Sequence, residues 1–205
     1  MKYIFVAGAP GSKWSSVVKN IYWSPSIDHS DYLDSRTYYH DASGEYQLMH
    51  LGAYWDPGME FGDNFDRLNS LSKQECEKEF DRPFTGTGIR IVKSHVFCNH
   101  LEFLKNTWPE CKIILVNRDN DACLGWWVRC GHFDITYPDY KWYINLKRMG
   151  EIINDQNYHL RQFWHNNSKR WVNNNRHLAL SLGIAAPPEE YYQDYETNDI
   201  KVAIL

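Results

Sequence analysis

The stretch Tyr3-Ile4-Phe5-Val6-Ala7-Gly8-Ala9-Pro10-Gly11-Ser12 decides the fold of this 205-residue chain. Its first five residues form a short apolar run, which predicts a buried β-strand. The glycines and the proline that follow predict a tight loop. Ser12 is a suitable N-cap for a helix over 13–22. The chain therefore begins with a strand, a loop and a helix.

The same alternation continues along the chain. β-Branched runs at 89–93 and 112–116 predict two further strands, and segments 101–106 and 121–129 have the character of short helices. This order predicts an α/β fold in three layers, with a central parallel sheet flanked by helices on both faces. We expect a single domain over residues 1–205, since neither an internal repeat nor an interdomain linker is visible.

Two regions depart from the repeat. Residues 23–66 are rich in Tyr, Asp, Ser, His and Gly, so we expect loops and short helices over one rim of the sheet. The apolar positions in 140–182 have helical spacing and predict a helix or a helical pair, packed on the sheet through Leu160, Phe163, Trp164, Trp171 and Leu178. Gly183 then ends the helix, and Pro187-Pro188 begins an extended tail.

Composition narrows the classes of function. The net charge is −4, which disfavours a broad nucleic-acid-binding surface but leaves a local cationic pocket open. The sequence contains no apolar run of the roughly 20 residues that a membrane span needs, and the first residues do not resemble a signal peptide. The five cysteines form no CxxC pair, so we expect reduced thiols. The sequence predicts a soluble, cytoplasmic protein.

The loop from Gly8 to Ser16 is suited to binding a phosphate. Glycines let successive backbone N–H groups turn inward, and the following helix presents free N–H groups and the positive end of its dipole. The Lys13 ammonium and the hydroxyls of Ser12, Ser15 and Ser16 would complete the cradle. An ordinary strand-to-helix turn is the alternative.

The loop does not match the Walker A pattern GxxxxGK[ST]. That pattern requires Gly at 13 and Lys at 14, where this chain has Lys13 and Trp14, and only Ser15 agrees. No obvious acidic residue at a strand end supplies a magnesium ligand. A P-loop kinase is therefore the less favoured alternative.

Two later predicted strands end in basic side chains, which we expect at the same edge of the sheet as the loop. The strand at 89–93 leads into Lys93-Ser94-His95, in which Lys93 and His95 can point to the same side and His95 is a candidate general base. The strand at 112–116 leads to Arg118, whose planar fork suits a phosphate. An ion pair between Arg118 and Asp121 is the alternative for that arginine.

These three motifs, in this order, resemble the sulfotransferases that use 3′-phosphoadenosine 5′-phosphosulfate. The resemblance covers about residues 1–130 and rests on the loop Pro10-Gly11-Ser12-Lys13-Trp14-Ser15-Ser16, on Lys93-Ser94-His95, and on Arg118 followed by a helix that has Gly125 where the family has a serine. It implies in-line sulfuryl transfer to a hydroxyl or amine of a carbohydrate or small molecule, without a metal. His95 would be the base, with Lys93 and Lys13 stabilising charge.

The resemblance also assigns the donor-binding residues. The loop from Pro10 to Ser16, Lys13 included, would hold the 5′-phosphosulfate, and Arg118 and the Gly125 position the 3′-phosphate. The chain departs from the family in three places. Gly11 and Lys13 have exchanged positions, Gly125 lacks the hydroxyl, and the C-terminal segment that covers the donor is not recognisable. A non-catalytic nucleotide-binding protein of the same fold is therefore an alternative.

Two weaker patterns are open to more than one interpretation. The cationic residues Arg161, Lys169, Arg170 and Arg176 would replace the missing covering segment or would form a solvated helix face. The polar residues Asp28, His29, Asp31, His40, Asp41 and His50 match no common metal-site spacing, so we expect an acceptor-side loop and no metal there. Aromatic residues in 22–55 would stack on an acceptor or pack in the core.

Overall fold

Seven strands and six helices lie in the part of the chain that the computed structural model describes, which is residues 1–33, 37–39, 47–49, 51–56, 62, 64–129, 145–167, 171–172, 176–192 and 199–205. The strands are β1 (Tyr3–Gly8), β2 (Thr37–Tyr39), β3 (Gln47–Met49), β4 (Ala53–Tyr54), β5 (Arg90–Ser94), β6 (Lys112–Arg118) and β7 (Ile200–Ile204). The helices are α1 (Trp14–Tyr22), α2 (Lys73–Asp81), α3 (Leu101–Thr107), α4 (Asn120–Arg129), α5 (Leu146–Asn167) and α6 (Arg176–Leu182). Short 3-10 turns occupy Phe65–Ser70, Val96–Asn99 and Glu189–Tyr191.

A mixed five-stranded sheet with flanking helices forms the centre of this α/β protein. Its strand order is β4-β5-β1-β6-β7, and β2 and β3 form a separate antiparallel pair. β1 runs parallel to both of its neighbours, with Ala7 opposite Ser94 in β5 and Gly8 opposite Val116 in β6. The carboxyl ends of these three strands therefore meet at one edge.

The core covers both faces of the sheet. Side chains alternate between the two faces along a strand, yet all six residues of β1 are buried. On one face Phe5 contacts Phe80 of α2, Phe97 and Trp108 in edge-on or tilted arrangements. Rings in these orientations stabilise the core beyond the area they bury. α1 packs with α6, and α5 packs with α4.

The prediction of a wholly parallel sheet is wrong at one edge. β7 runs antiparallel to β6, with Ile200 opposite Arg118 and Ile204 opposite Ile114. An antiparallel strand needs no crossover, so the chain can return along β6 after the 3-10 turn at Glu189–Tyr191. The tail expected after Pro187-Pro188 therefore ends as an edge strand of the sheet.

The helices expected in the C-terminal part of the chain are confirmed. The helical pair expected in 140–182 is present as α5 and α6, Leu160, Phe163 and Leu178 are buried, and Trp164 stacks on Trp171 at a centroid distance of 4.4 Å. Gly183 has a φ of +71°, as a helix-ending glycine should.

The region 23–66 differs from the expectation of loops and short helices. Its described part contains three short strands in addition to loops. α2 was not expected; it begins with a capping box between Ser72 and Glu75.

Candidate functional site

The loop between β1 and α1 is the centre of the candidate site. The carbonyl oxygens of Gly8, at the end of β1, and of Gly11, in the loop, receive side-chain hydrogen bonds from residues at the ends of the neighbouring strands. His95 Nδ1, just after β5, lies 2.5 Å from the Gly8 oxygen, and Arg118 Nη1, at the end of β6, donates to the Gly11 oxygen at 3.1 Å. The three sequence motifs are therefore brought together, at the edge where open α/β sheets bind ligands.

The loop winds more tightly than the sequence predicts. Gly11 and Lys13 have φ values of +77° and +61°, and the Ser12 N–H donates to the Ala9 oxygen at 3.0 Å. The helix begins at Trp14, with Lys13 at its N-cap position and no side-chain cap. The expectation that Ser12 caps a helix from residue 13 is therefore wrong. Because Lys13 has the left-handed conformation, it still belongs to the loop, and the helix begins one residue later than expected, at Trp14.

Gly11 is required by packing as well as by conformation. A Cβ built on Gly11 would lie 2.0 Å from the Cys123 carbonyl oxygen in α4. A backbone atom cannot move aside as the tip of a side chain can. A side chain at position 11, such as the lysine that the resemblance would place there, therefore has no room.

The Ser12 hydroxyl is buried without a hydrogen-bond partner. Ser12 is 1% exposed, and its Oγ lies 2.6 Å from the position that a Cβ on Gly8 would occupy. It therefore faces Gly8, the last residue of β1. A buried hydroxyl without a partner costs about 1–3 kcal/mol, which an anion in the loop would offset. Pro10 and Ser15 are buried beside it, and the Ser16 N–H donates to the Lys13 oxygen.

His95 is held in one tautomer. A carbonyl oxygen can only accept, so Nδ1 must carry the hydrogen donated to Gly8, and Nε2 keeps the lone pair. Burial lowers the pKa of His95 to about 3; the bond to Gly8 opposes this shift, and the Lys93 charge adds to it. His95 is therefore neutral at pH 7, with the lone pair on Nε2, and burial makes it a weaker base than an exposed imidazole.

Aromatic rings enclose two polar groups, Lys93 in β5 and His95 directly after it. The Trp14 indole stacks on the His95 imidazole, and Tyr54 meets it edge-on at a centroid distance of 5.7 Å. Lys93 is fully buried, with Nζ 5.8 Å from the centroid of Trp14 and 5.6 Å from that of Tyr54. Both rings present their faces to this ammonium, an arrangement that stabilises a desolvated cation.

Asp56 is a site residue that the sequence interpretation missed. It follows β4 at the same edge and is 1% exposed; its Oδ2 accepts from the His95 backbone N–H at 3.3 Å and lies 4.0 Å from His95 Nε2. An acidic residue therefore does lie close to the end of a strand, although the sequence shows no obvious one. The short run Ala53-Tyr54-Trp55 before it is the only sequence signal for that strand end.

Arg118 is bound to a carboxylate of the chain itself. Its Nε and Nη2 donate to Asp199 Oδ2 at 2.8 and 2.5 Å. Asp199 immediately precedes β7, the strand that the sequence interpretation did not expect. The alternative pairing of Arg118 with Asp121 is wrong; instead, Asp119 accepts from the N–H groups of Asp121 and Ala122 at the start of α4.

Lys13 and Gly125 belong to the Arg118 side of the loop. Lys13 Nζ lies 4.5 Å from the ring centroid of Trp126, and the Arg118 guanidinium carbon lies 6.0 Å from the same centroid. Gly125 is exposed, and a Cβ there would meet no atom within 4 Å. The two candidate lysines thus contact different rings, since Lys93 lies over Trp14 and Tyr54.

The polar residues that follow α1 lie beside the start of β5, at the edge of the sheet opposite the loop, and have local partners. Asp28 accepts from the Ser30 hydroxyl, Asp31 from the Tyr22 hydroxyl, and His29 Nε2 lies 2.6 Å from the Tyr22 carbonyl oxygen. His40, Asp41 and His50 lie outside the described residues, as do Lys169 and Arg170. Among the residues that are described, no group of three His, Cys, Asp or Glu is arranged to hold a metal ion. Within the same residues, no helix is both long and apolar enough to cross a membrane.

Comparison with known proteins adds no assignment: no family model, no curated protein and no solved structure matches the chain.

Proposed function

We propose that the protein is a sulfotransferase that moves a sulfuryl group from a nucleotide phosphosulfate to a hydroxyl or amine of a carbohydrate or small molecule. The donor implied by the resemblance is 3′-phosphoadenosine 5′-phosphosulfate. One observation carries the proposal. The buried Ser12 hydroxyl has no hydrogen-bond partner, and it lies beside Gly8, whose carbonyl oxygen fixes the tautomer of His95. A donor for an anion and a base for a proton therefore share one loop.

The 5′-phosphosulfate end of the donor fits this loop. The Ser12 hydroxyl needs an acceptor, and phosphate and sulfuryl oxygens are strong acceptors. The N-terminus of α1, with Ser15 in its first turn, favours a negative charge at the same place. The donor supplies a sulfuryl group whose bridging bond to the phosphate is reactive.

His95 and Lys93 provide the chemistry of transfer. The acceptor hydroxyl or amine would give its proton to His95 Nε2 as its oxygen or nitrogen bonds to sulfur. The bond from sulfur to the bridging oxygen breaks, and its electron pair leaves with the nucleotide phosphate. Lys93 and the α1 N-terminus would stabilise the charge that develops on the sulfuryl and phosphate oxygens. Asp56, 4.0 Å from Nε2, would stabilise the imidazolium that results.

A transfer assay with ³⁵S-labelled donor tests the proposal. The wild type is incubated with a phenol, a monosaccharide or an aliphatic amine, and label is followed from the nucleotide to the acceptor. We expect transfer that falls by about 10²–10⁴-fold in His95→Asn, the usual contribution of a general base. His159→Asn is the control, since His159 is exposed on α5. No transfer to any acceptor would reject the enzyme, and full activity of His95→Asn would reject His95 as the base.

A nucleotide-binding protein without transferase activity is the second candidate. The observation that favours it is the burial of His95, which is 3% exposed and covered on one face by Trp14. Nucleotide binding without transfer in the assay would establish this candidate. Magnesium-dependent binding of ATP in preference to the other nucleotides would instead indicate the P-loop kinase.

A further inference from the structure

We propose that the nucleotide bound at this loop carries no 3′-phosphate, because the anion position beside Arg118 is filled by the chain's own Asp199. This inference rests on the proposed function, since it concerns the donor of that reaction. It replaces the 3′-phosphorylated donor of the resemblance with a nucleotide phosphorylated only on the 5′ side.

Every nitrogen of the Arg118 guanidinium already donates a hydrogen bond. Nε and Nη2 bind the Asp199 carboxylate at 2.8 and 2.5 Å, and Nη1 binds the Gly11 carbonyl at 3.1 Å. The Arg118 side chain is 8% exposed. The two bonds to Asp199 occupy the Nε–Nη2 edge through which an arginine binds a phosphate.

The pairing of β6 with β7 places the Asp199 carboxylate beside Arg118. β7 is antiparallel to β6 and Ile200 lies opposite Arg118, so β7 begins at the edge where β6 ends. Asp199, one residue earlier, therefore lies beside the guanidinium. Five residue pairs fix this register, from Arg118 and Ile200 to Ile114 and Ile204. A shift of β7 that carried Asp199 away would break those pairs.

A 3′-phosphate would meet a like charge at this place. It would either lie against the Asp199 carboxylate or displace it from its ion pair with the buried Arg118 side chain, and both are unfavourable. The neighbouring position offers no compensation, because Gly125 has no side chain and Lys13 is drawn to the Trp126 ring. Phosphate binding at the Ser12 loop involves none of the Arg118–Asp199 contacts.

The donor class that follows is an adenosine 5′-phosphosulfate type of nucleotide. The bonds made and broken are those of the proposed reaction: sulfur bonds to the acceptor, the bridging bond to phosphate breaks, and the proton goes to His95. The leaving nucleotide is then a 5′-monophosphate. The electron pair of the broken bond remains on its phosphate.

Calorimetric titration of the full chain with adenosine 5′-monophosphate and with adenosine 3′,5′-bisphosphate tests the inference. For the wild type we expect dissociation constants within about threefold of each other, because the 3′-phosphate gains no charge-assisted bond. In Asp199→Asn, which keeps the size of the side chain and removes its charge, we expect the bisphosphate to bind about tenfold more tightly than the monophosphate. Asp66→Asn, at an exposed aspartate, should behave as the wild type does.

The outcomes separate this inference from the proposed function. A wild type that binds the bisphosphate at least tenfold more tightly would overturn the inference and leave the sulfotransferase proposal supported. An Asp199→Asn variant without any gain for the bisphosphate would overturn the assignment of the anion position to Arg118. Binding of neither nucleotide to the wild type would reject the proposed function and the inference together.

Discussion

The Trp14 indole lies flat against the His95 imidazole, with ring centroids 3.9 Å apart and planes inclined by 10°. Trp14 begins α1 and His95 follows β5, so the loop between β1 and α1 determines this contact. The stacked ring excludes water from one face of the base. In the proposed reaction the acceptor would therefore reach His95 at its Nε2 edge, where Asp56 lies.

Removal of the indole should raise the pKa of His95. In Trp14→Leu, water reaches the imidazole and relieves the burial that lowers its pKa to about 3, so the value should move toward 6.5. Titration of the ring resonances by NMR measures this directly. Trp23→Leu, which changes an aromatic residue outside the site, should leave His95 unchanged. An unshifted pKa in Trp14→Leu would show that the rest of the core desolvates the ring.

His95 should also make the fold sensitive to acid. Its folded pKa is depressed below the unfolded value of 6.5, so the unfolded chain binds the proton more readily. The stabilising contribution is complete above pH 6.5 and is lost as the pH falls from 6.5 toward 3. The loss is about 1.4 kcal/mol per pH unit for one such group.

Urea unfolding at pH 7, 6 and 5 tests this linkage. The wild type should lose stability more steeply than His95→Asn as the pH falls. His100, whose pKa is also lowered by burial, should contribute in the same direction, so His100→Asn is a useful comparison. Equal slopes for the wild type and His95→Asn would mean that His95 is already protonated or solvated in the folded protein.

Gly11→Ala should destabilise the fold by about 2 kcal/mol or more. The left-handed conformation costs about 1–2 kcal/mol for a residue with a side chain, and contact with the Cys123 carbonyl adds to it. Gly183→Ala is the matched control, because Gly183 has a φ of +71° with no atom within 4 Å of an added Cβ. The difference between the two variants in chemical unfolding isolates the close approach of α4. A cost for Gly11→Ala no greater than that of Gly183→Ala would contradict the packing described here.

The local pattern of the sequence was sufficient to place the first motif and the strands around it. The apolar run 3–7 and the β-branched runs near Ile91 and Ile114 are buried in any parallel arrangement, so the residues that follow them must share an edge. The convergence of His95 and Arg118 on the loop follows from that reasoning.

The partners of those residues could not be predicted in the same way. Asp199 meets Arg118 only because β7 returns antiparallel from a distant part of the chain, and a short terminal run such as Ile200–Ile204 does not specify its partner strand. Asp56 follows a strand of two residues, too short for a periodic pattern. The conformation of Ser12 depends on positive φ values at Gly11 and Lys13. A positive φ is uncommon for lysine, so the sequence does not predict it at position 13.

The most direct test of the central claim, that the loop holds the nucleotide's 5′-phosphate, is Ser12→Ala measured beside Ser24→Ala. Ser24 is as buried as Ser12, but its hydroxyl donates to the Ala185 oxygen at 2.6 Å. Each variant is assayed for its free energy of unfolding and for its affinity for adenosine 5′-monophosphate. Ser24→Ala should lose about 1 kcal/mol of stability and keep its affinity.

Ser12→Ala should do the opposite. Since the hydroxyl has no partner in the free protein, its removal should leave stability unchanged or raise it by about 1 kcal/mol, while the nucleotide should bind about tenfold more weakly. A Ser12→Ala protein that is less stable than the wild type, yet binds the nucleotide equally well, would show that the hydroxyl supports the fold and that the loop holds no phosphate.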